Sequence, residues 1–230
     1  TNGSTLRPKG AVAKGVGGKS SGAISWLNDI ANLTNLVEQG GSRRGAQMIM
    51  LADWHPDILE FIISKMQNPL IIDWLARNSK DEEIRQLAKD KLKFIPLKES
   101  ERKFFDGIIS CEGLIPDKLV DDARRKLLEG GHHEVVNPDF LVGANISVTL
   151  TKEFMEAVAN DGDYALRFPD LDSYTPEEKA DYDAYWHEVG DVREWEEKGY
   201  KVKTYRTIKA SALWDLICFC ATYSAEPGIF

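Results

Sequence analysis

MIMLADWHPDILEFIISK, running from Met48 to Lys65, decides the fold class. Met48 to Ala52 is a short unbroken apolar run between turn signals, the signature of a strand buried on both faces. Pro56 then suits the first turn of a helix, Asp57 favours the positive end of its dipole, and Ile58, Phe61 and Ile62 supply one apolar face. A strand that leads at once into a helix is half of a βαβ unit. The pattern recurs at NISVTL, where Ile146, Val148 and Leu150 alternate with polar residues and Thr151 can cap a helix through EFMEAV. It returns near the C-terminus. Leu213, Ile217 and Ala221 mark a helix that stops before Glu226-Pro227-Gly228, and a strand begins at Ile229-Phe230. Alternating strands and helices predict an α/β fold with parallel pairing.

Outward from this frame, Ala23 to Glu38 reads as a helix with Trp26, Ile30, Leu33 and Val37 on its core face, ended by Gly40-Gly41. Residues 66–143 change character. DEEIRQLAKDKLKF places Ile84, Leu87, Ala88 and Leu92 on one face, and PDKLVDDARRKLLEGG does the same with Leu119, Ala123, Leu127 and Leu128 before Gly130. This is expected to be an inserted, mostly helical segment between two parts of one α/β body, 1–65 and 144–230. Thr175-Pro176-Glu177-Glu178 is a capping box opening a polar surface helix that runs to about Glu188.

The chain has 230 residues, 43% hydrophobic and 29% charged, with a net charge of -8. That balance fits a soluble globular protein and argues against sequence-independent nucleic-acid binding, which needs many cations. No apolar run has the length of a membrane span. Three cysteines, Cys111, Cys218 and Cys220, are too few and too odd for a disulfide scaffold and fit a reducing cytoplasm. The chain opens at Thr1 without Met and closes on an apolar pair, so it is expected to be an excerpt of a longer protein.

Four constellations could carry chemistry. GAVAKGVGGKSSG, Gly10 to Gly22, imitates the end of a phosphate loop at Gly18-Lys19-Ser20, but Ala13 stands where a glycine is required. What remains is a glycine-rich loop with Lys14, Lys19, Ser20 and Ser21, able to approach a ligand or simply to cover the surface. QGGSRRGA, Gln39 to Ala46, sets two arginines among three glycines between a helix and a buried strand. Ligand loops of α/β sheets gather at one end of the strands, and arginines read phosphates and base edges with two hydrogen bonds. Composition leaves this loop open between a ligand site and a tight turn with solvated arginines. In Asp53-Trp54-His55-Pro56-Asp57 a carboxylate is expected to cap the following helix, with His55 an ordinary hydrogen-bonded residue. His132-His133-Glu134 lacks metal-ligand spacing and reads as a loop. Cys218 and Cys220, two apart on a helix, face different ways, with Cys218 expected in the core, and no cysteine or metal site is nominated.

LRPKG with VGGKSSG, QGGSRRGA, HPDILEFIISK, GANISVTLTKEFMEAV and LWDLICFCATYSAEPGIF, in this order, resemble the central region of ribonucleotide reductase large subunits. The match covers most of Leu6 to Lys65 and Gly143 to Phe230 and looks closest to the adenosylcobalamin-dependent class II enzymes. The resemblance implies a ten-stranded α/β barrel made of two parallel five-stranded halves, with the helical segment inserted. It implies two loops that respond to a dNTP or ATP effector. The first runs from about Arg7 to Gly22 and includes Arg7, Lys9, Lys14, Gly17, Gly18, Lys19, Ser20 and Ser21. The second, between effector and substrate base, comprises Gln39, Gly40, Gly41, Ser42, Arg43, Arg44, Gly45 and Ala46, with Gln39 and Arg43 the foremost base-sensing residues.

The implied reaction is reduction of ribonucleotides to deoxyribonucleotides by thiyl-radical chemistry, with adenosylcobalamin and a thioredoxin- or glutaredoxin-type reductant, in a homodimer. By the same resemblance the radical and reducing cysteines fall outside this chain, so no catalytic residue is assigned. Two other readings stand beside it: a non-catalytic nucleotide-binding or assembly fragment that needs a companion chain, and a class I large subunit served by a diiron-type radical partner.

Overall fold

The computed structural model describes residues 1–12, 18–39 and 43–230, and divides them into two compact units, residues 1–66 with 139–230 and residues 67–138. The first unit contains, in chain order, α1 (Ala23–Leu36), β1 (Glu38–Gln39), β2 (Arg43–Arg44), β3 (Met48–Ala52) and α2 (Ile58–Ile63). The second unit follows with α3 (Pro69–Asn78), α4 (Glu82–Asp90), β4 (Leu92–Pro96), α5 (Glu99–Ser110), α6 (Asp117–Glu129) and β5 (Gly131–Val135). The chain then returns to the first unit through β6 (Asn145–Thr149), α7 (Lys152–Ala159), β7 (Asp163–Pro169), α8 (Pro176–Val189), α9 (Val192–Glu197), β8 (Val202–Lys209), α10 (Ala210–Ser224) and β9 (Gly228–Ile229).

The heart of the first unit is a parallel sheet in the order β3-β6-β9, with Met48 beside Asn145 and Val148 beside Ile229. Thr1 to Gly3 extends it along the outer edge of β3, where the Gly3 amide donates to Met50 at 2.8 Å and the Met50 amide donates to Thr1 at 2.9 Å. The expected α/β class and parallel pairing are present, and no closed barrel forms among the described residues. Ile49, Leu51, Ile146 and Val148 are buried, as are Phe61 and Ile62 of α2, which packs on β3, and Leu213 and Ile217 of α10, which packs on α2. Ser147 is also buried, because β6 is the central strand and both its faces are covered. Lys65 closes the frame: its ammonium lies 2.6 Å from Glu226 and donates to the Ala144 carbonyl at 2.6 Å, joining the end of α2 to the starts of β6 and β9.

Several expectations are corrected. The face of α1 that is buried holds Ala23, Ile24, Leu27 and Ala31, while Trp26, Leu33 and Val37 are 61%, 62% and 46% exposed. The inner face thus pairs two alanines with Ile24 and Leu27, and the bulky stripe is left outside. The helix ends at Leu36, before Gly40-Gly41, because Val37 is already extended and leads into β1. Helix α2 begins at Ile58, so Pro56 lies in the preceding turn. In α10, Cys220 rather than Cys218 is buried, and the inner face is Leu213, Leu216, Ile217 and Cys220. Helix α8 opens with the expected capping box, in which the Glu178 amide donates to the Thr175 hydroxyl and the Thr175 amide donates to Glu178. It is not purely polar, since Tyr182 and Trp186 are buried one turn apart.

The second unit is less helical than the sequence implies. Leu92 leaves the helical pattern to start β4, which pairs antiparallel with β5, so His132, His133 and Glu134 are strand residues rather than a loop. Phe94 packs edge-on against His133 across this pair. Helix α6 buries Val120 and Ala123, whereas Leu119 and Leu128 are exposed, and Gly130 ends it with φ 70°.

Candidate functional site

The first loop is held from two directions. His55 and Asp57, in the turn that follows β3, are buried. The His55 Nδ1 accepts from the Asp57 amide at 3.1 Å, which leaves the proton on Nε2 to donate to the Leu6 carbonyl at 2.9 Å. Burial pushes the His55 pKa down, so the ring is a neutral hydrogen-bond bridge. Asp57 does cap a helix, but not its own. Its carboxylate accepts from the Lys9 amide at 3.0 Å and from the Ala23 amide at 2.8 Å, the first turn of α1, 34 residues away. Gly22 turns with φ 97°, and a Cβ there would stand 2.9 Å from Asp57 Oδ2 and 3.0 Å from Lys9 Cβ, so only glycine fits. The described limbs of the loop pair with each other, the Gly10 amide donating to Ser20 at 2.9 Å and the Ser20 amide to Ala11 at 2.7 Å.

Of the residues expected in this loop, Arg7 lies over the Tyr182 ring with its guanidinium carbon 5.9 Å from the centroid. Lys9 pairs with Glu60 at 3.3 Å, Ser20 donates to the Arg7 carbonyl, and Ser21 accepts from Ser25 at 2.7 Å. Lys19 is exposed and Gly18 half-buried, while Lys14 and Gly17 lie outside the described residues.

The second loop follows the other end of α1. Its backbone forms a short antiparallel pair, with Glu38 opposite Arg44 and Gln39 opposite Arg43; Gly40, Gly41 and Ser42 lie outside the described residues. Gly45 donates to Val37 at 2.9 Å, and a Cβ on it would meet the Thr34 carbonyl at 2.7 Å, so the loop lies tight against the end of the helix. Ala46 is exposed. The Thr34 hydroxyl donates to Gln47, whose amide donates to Thr1 at 2.6 Å. The two loops therefore stand at opposite ends of a 14-residue helix, about 21 Å long. The second enters the N-terminal end of β3 and does not share the carboxyl end of the strands, where the first is anchored.

The carboxyl ends of β3 and β6 are joined by a buried polar group that the sequence did not announce. Asp53 accepts from the Thr151 amide at 2.5 Å and from the Tyr164 hydroxyl at 2.8 Å. Burial raises the Asp53 carboxyl, and burial with the adjacent Asp53 raises the Tyr164 phenol well above its ordinary range. Beside the first loop, α8 and α9 add an aromatic cluster. Trp186 stacks with Tyr182 at 5.9 Å and meets Trp54, Phe168 and Trp195 edge-on, and its indole donates to the Thr5 carbonyl at 3.0 Å. The spacing of Tyr182, Trp186 and Trp195 was the available signal. Between this cluster and the loop lies a cleft of about 320 Å³ lined by Arg7, Val12, Leu171, Asp172, Lys179, Tyr182 and Asp183.

No group of three or more metal-ligating side chains forms among the described residues, and no helix among them is long and apolar enough to cross a membrane. Cys111 and Cys218 are free thiols on the surface or half-buried, with burial raising the Cys218 thiol.

The model of the ribonucleotide reductase barrel domain matches residues 1–230. The chain belongs to this family. A vitamin B12-dependent ribonucleoside-diphosphate reductase of Thermoplasma acidophilum is 32% identical over 59% of the chain and 20% of its own length. A ribonucleoside-diphosphate reductase subunit alpha of Chlamydia pneumoniae is 32% identical over 54% of the chain and 12% of its own. A vitamin B12-dependent ribonucleotide reductase of Bradyrhizobium diazoefficiens is 25% identical over the whole chain, 18% of its own length. The chain thus spans a fifth or less of these reductases. The 320 Å³ cleft is at the small end of the roughly 300–1,000 Å³ range of ligand pockets, and charged groups line it. It does not fit a corrin ring with its nucleotide tail, so no cobalamin chemistry is routed through this region.

Proposed function

We propose that this chain is the effector-reading part of a ribonucleotide reductase that converts ribonucleotides to deoxyribonucleotides by thiyl-radical chemistry, with adenosylcobalamin as cofactor and a thioredoxin- or glutaredoxin-type dithiol as reductant. The observation that carries the reading is the family match across all 230 residues. The cofactor is read from the names of two of the relatives. The two loops at the ends of α1 supply the regulation: a dNTP or ATP bound at the first loop selects among arrangements of the second, which meets the substrate base through Gln39 and Arg43.

The exposed stripe of α1 supports a homodimer. Two copies packed through Trp26, Leu33 and Val37 with their helices antiparallel would set the first loop of one copy beside the second loop of the other. A site shared in this way needs no movement along the full length of a helix.

The test is reduction of the four ribonucleotides by the reductase polypeptide that carries this chain, with adenosylcobalamin and a dithiol, under each dNTP effector. Arg43→Ala is expected to blur substrate selection by about tenfold, the weight of one rearranged charge-assisted hydrogen bond, while lowering maximal turnover less. Unchanged selection under all four effectors would remove the second loop from this role. The likeness to a subunit alpha favours, as a second reading, a radical partner of the diiron type. Turnover with adenosylcobalamin alone excludes it.

A further inference from the structure

A sheet of only two strands has two outer edges, each a row of amides and carbonyls able to bond a further strand. In the second unit β4 and β5 form such a sheet, and no third strand joins it among the described residues. The Val136 amide donates to Lys91 and the Leu97 amide to Gly130, which fixes the alternation along the pair. Lys93, Ile95, His132 and Glu134 turn their backbone groups inward, while Phe94 and Pro96 of β4 and His133 and Val135 of β5 turn theirs outward. The edge of β4 is blunted by Pro96, which has no N–H to offer at its outward position. The long strand β8, also paired on one side only, carries Lys203 and Lys209. The edge of β5 has neither safeguard. No described residue bonds the outward groups of His133 or Val135, and α3, which touches both strands, lies across a face of the pair.

The side chains of β5 are complementary to β5 itself. A two-fold axis at His133 would lay the strand antiparallel to its own copy, with the His133 amide and carbonyl of each chain meeting those of the other. That register satisfies the outward backbone groups and overlaps the full strand. It makes residues 132 and 134 the close, non-hydrogen-bonded pairs, with Cα atoms about 4.5 Å apart. His132 of each copy then stands opposite Glu134 of the other. Within one chain these side chains already meet at 3.2 Å on the same face and are 52% and 60% exposed, so four groups close a ring across the axis.

We propose that β5 is a self-association surface, which joins the second units of two copies of this chain into one four-stranded antiparallel sheet through His132, His133 and Glu134. The contact is separate from the α1 face and does not rest on the function proposed above. Two self-complementary contacts on one chain build assemblies larger than a dimer.

Sedimentation equilibrium of the full chain over a concentration series tests this, with Leu33→Glu in every sample so that the α1 face is silent. The parent is expected to form dimers. His132→Glu sets two carboxylates opposite each other across the axis, and Glu134→Lys sets two donors there. Each should weaken the dimer about tenfold. An equal mixture of the two variants should associate as the parent does, because the new carboxylate at position 132 faces the new ammonium at position 134. Damage within one chain would not be repaired by mixing. His133→Pro removes the outward N–H, leaves the bonds to β4 in place and should abolish the dimer, with thermal unfolding establishing that the fold is retained. A parent that stays monomeric, variants that associate as tightly as the parent, or a mixture that does not recover would each overturn the proposal.

Discussion

Gly22, His55 and Asp57 are where single residues decide how the first loop sits, and each does so through backbone groups far away in sequence. At Gly22 the requirement is steric. Any side chain must accept φ 97° and displace the Asp57 carboxylate from the first turn of α1. Gly22→Ala is therefore expected to cost about 1–3 kcal/mol in denaturant unfolding, the usual weight of a strained backbone position. A loss under about 0.5 kcal/mol, the noise of ordinary surface changes, would show that the loop yields easily. At His55 the requirement is neutrality. Its folded pKa is depressed, so below about pH 6.5 the unfolded chain takes up a proton that the folded ring resists, and stability falls with acidification. The unfolding midpoint should drop between pH 7.5 and 5.5, and His55→Gln, which keeps a donor for Leu6, should flatten that slope. Asp53, whose carboxyl is raised by burial, acts with the opposite sign, so an equal slope in the variant would remove His55 as the cause.

Among the elements, α1 carries the largest mismatch between composition and position. Its exposed apolar residues Trp26, Leu33 and Leu36, with Val37 just beyond its end, lie toward one side, while its buried residues are Ala23, Ile24, Leu27 and Ala31. A helical period identifies a stripe but does not say whether sheet, solvent or a second subunit covers it. Leu33→Glu is expected to leave the circular dichroism spectrum unchanged and to shift the chain toward monomer in sedimentation velocity, because a buried unpaired charge is costly at an interface. The same oligomeric state in variant and parent would exclude this face from the assembly. Helix α8 makes the complementary point. Its many charged residues conceal two buried aromatics that fasten it to the start of the first loop.

For the whole molecule, the informative contact is the one beneath the second unit's point of departure. The Lys65 ammonium donates to the Ala144 carbonyl at 2.6 Å, so a side chain next to where the chain leaves the first unit reaches the start of the strand that resumes it. We infer that residues 67–138 can be exchanged for a short Gly-Ser linker, since closing so small a gap costs little entropy. The shortened chain should keep a single cooperative thermal transition. Loss of that transition would mean that the first unit depends on the second for its core. In the parent chain Lys65→Met should be markedly destabilising, because it strands the half-buried Glu226 carboxylate without its partner.

What the residue pattern alone determined is the set of elements whose signals are local. An apolar run marked β3 and an alternating pattern β6, Thr151 and the capping box at Thr175 marked helix starts, Gly130 marked a helix end, and parallel pairing followed from the succession of strands and helices. The family was legible too, because its ordered motifs are short and contiguous. Only the tertiary structure decided which face of α1 is inside, which helix Asp57 caps, that β4 and β5 pair, and that α8 reaches the first loop. Each of these depends on partners brought together by folding across tens of residues. A periodicity carries the direction of a side chain relative to its own backbone, and nothing about what will stand opposite it.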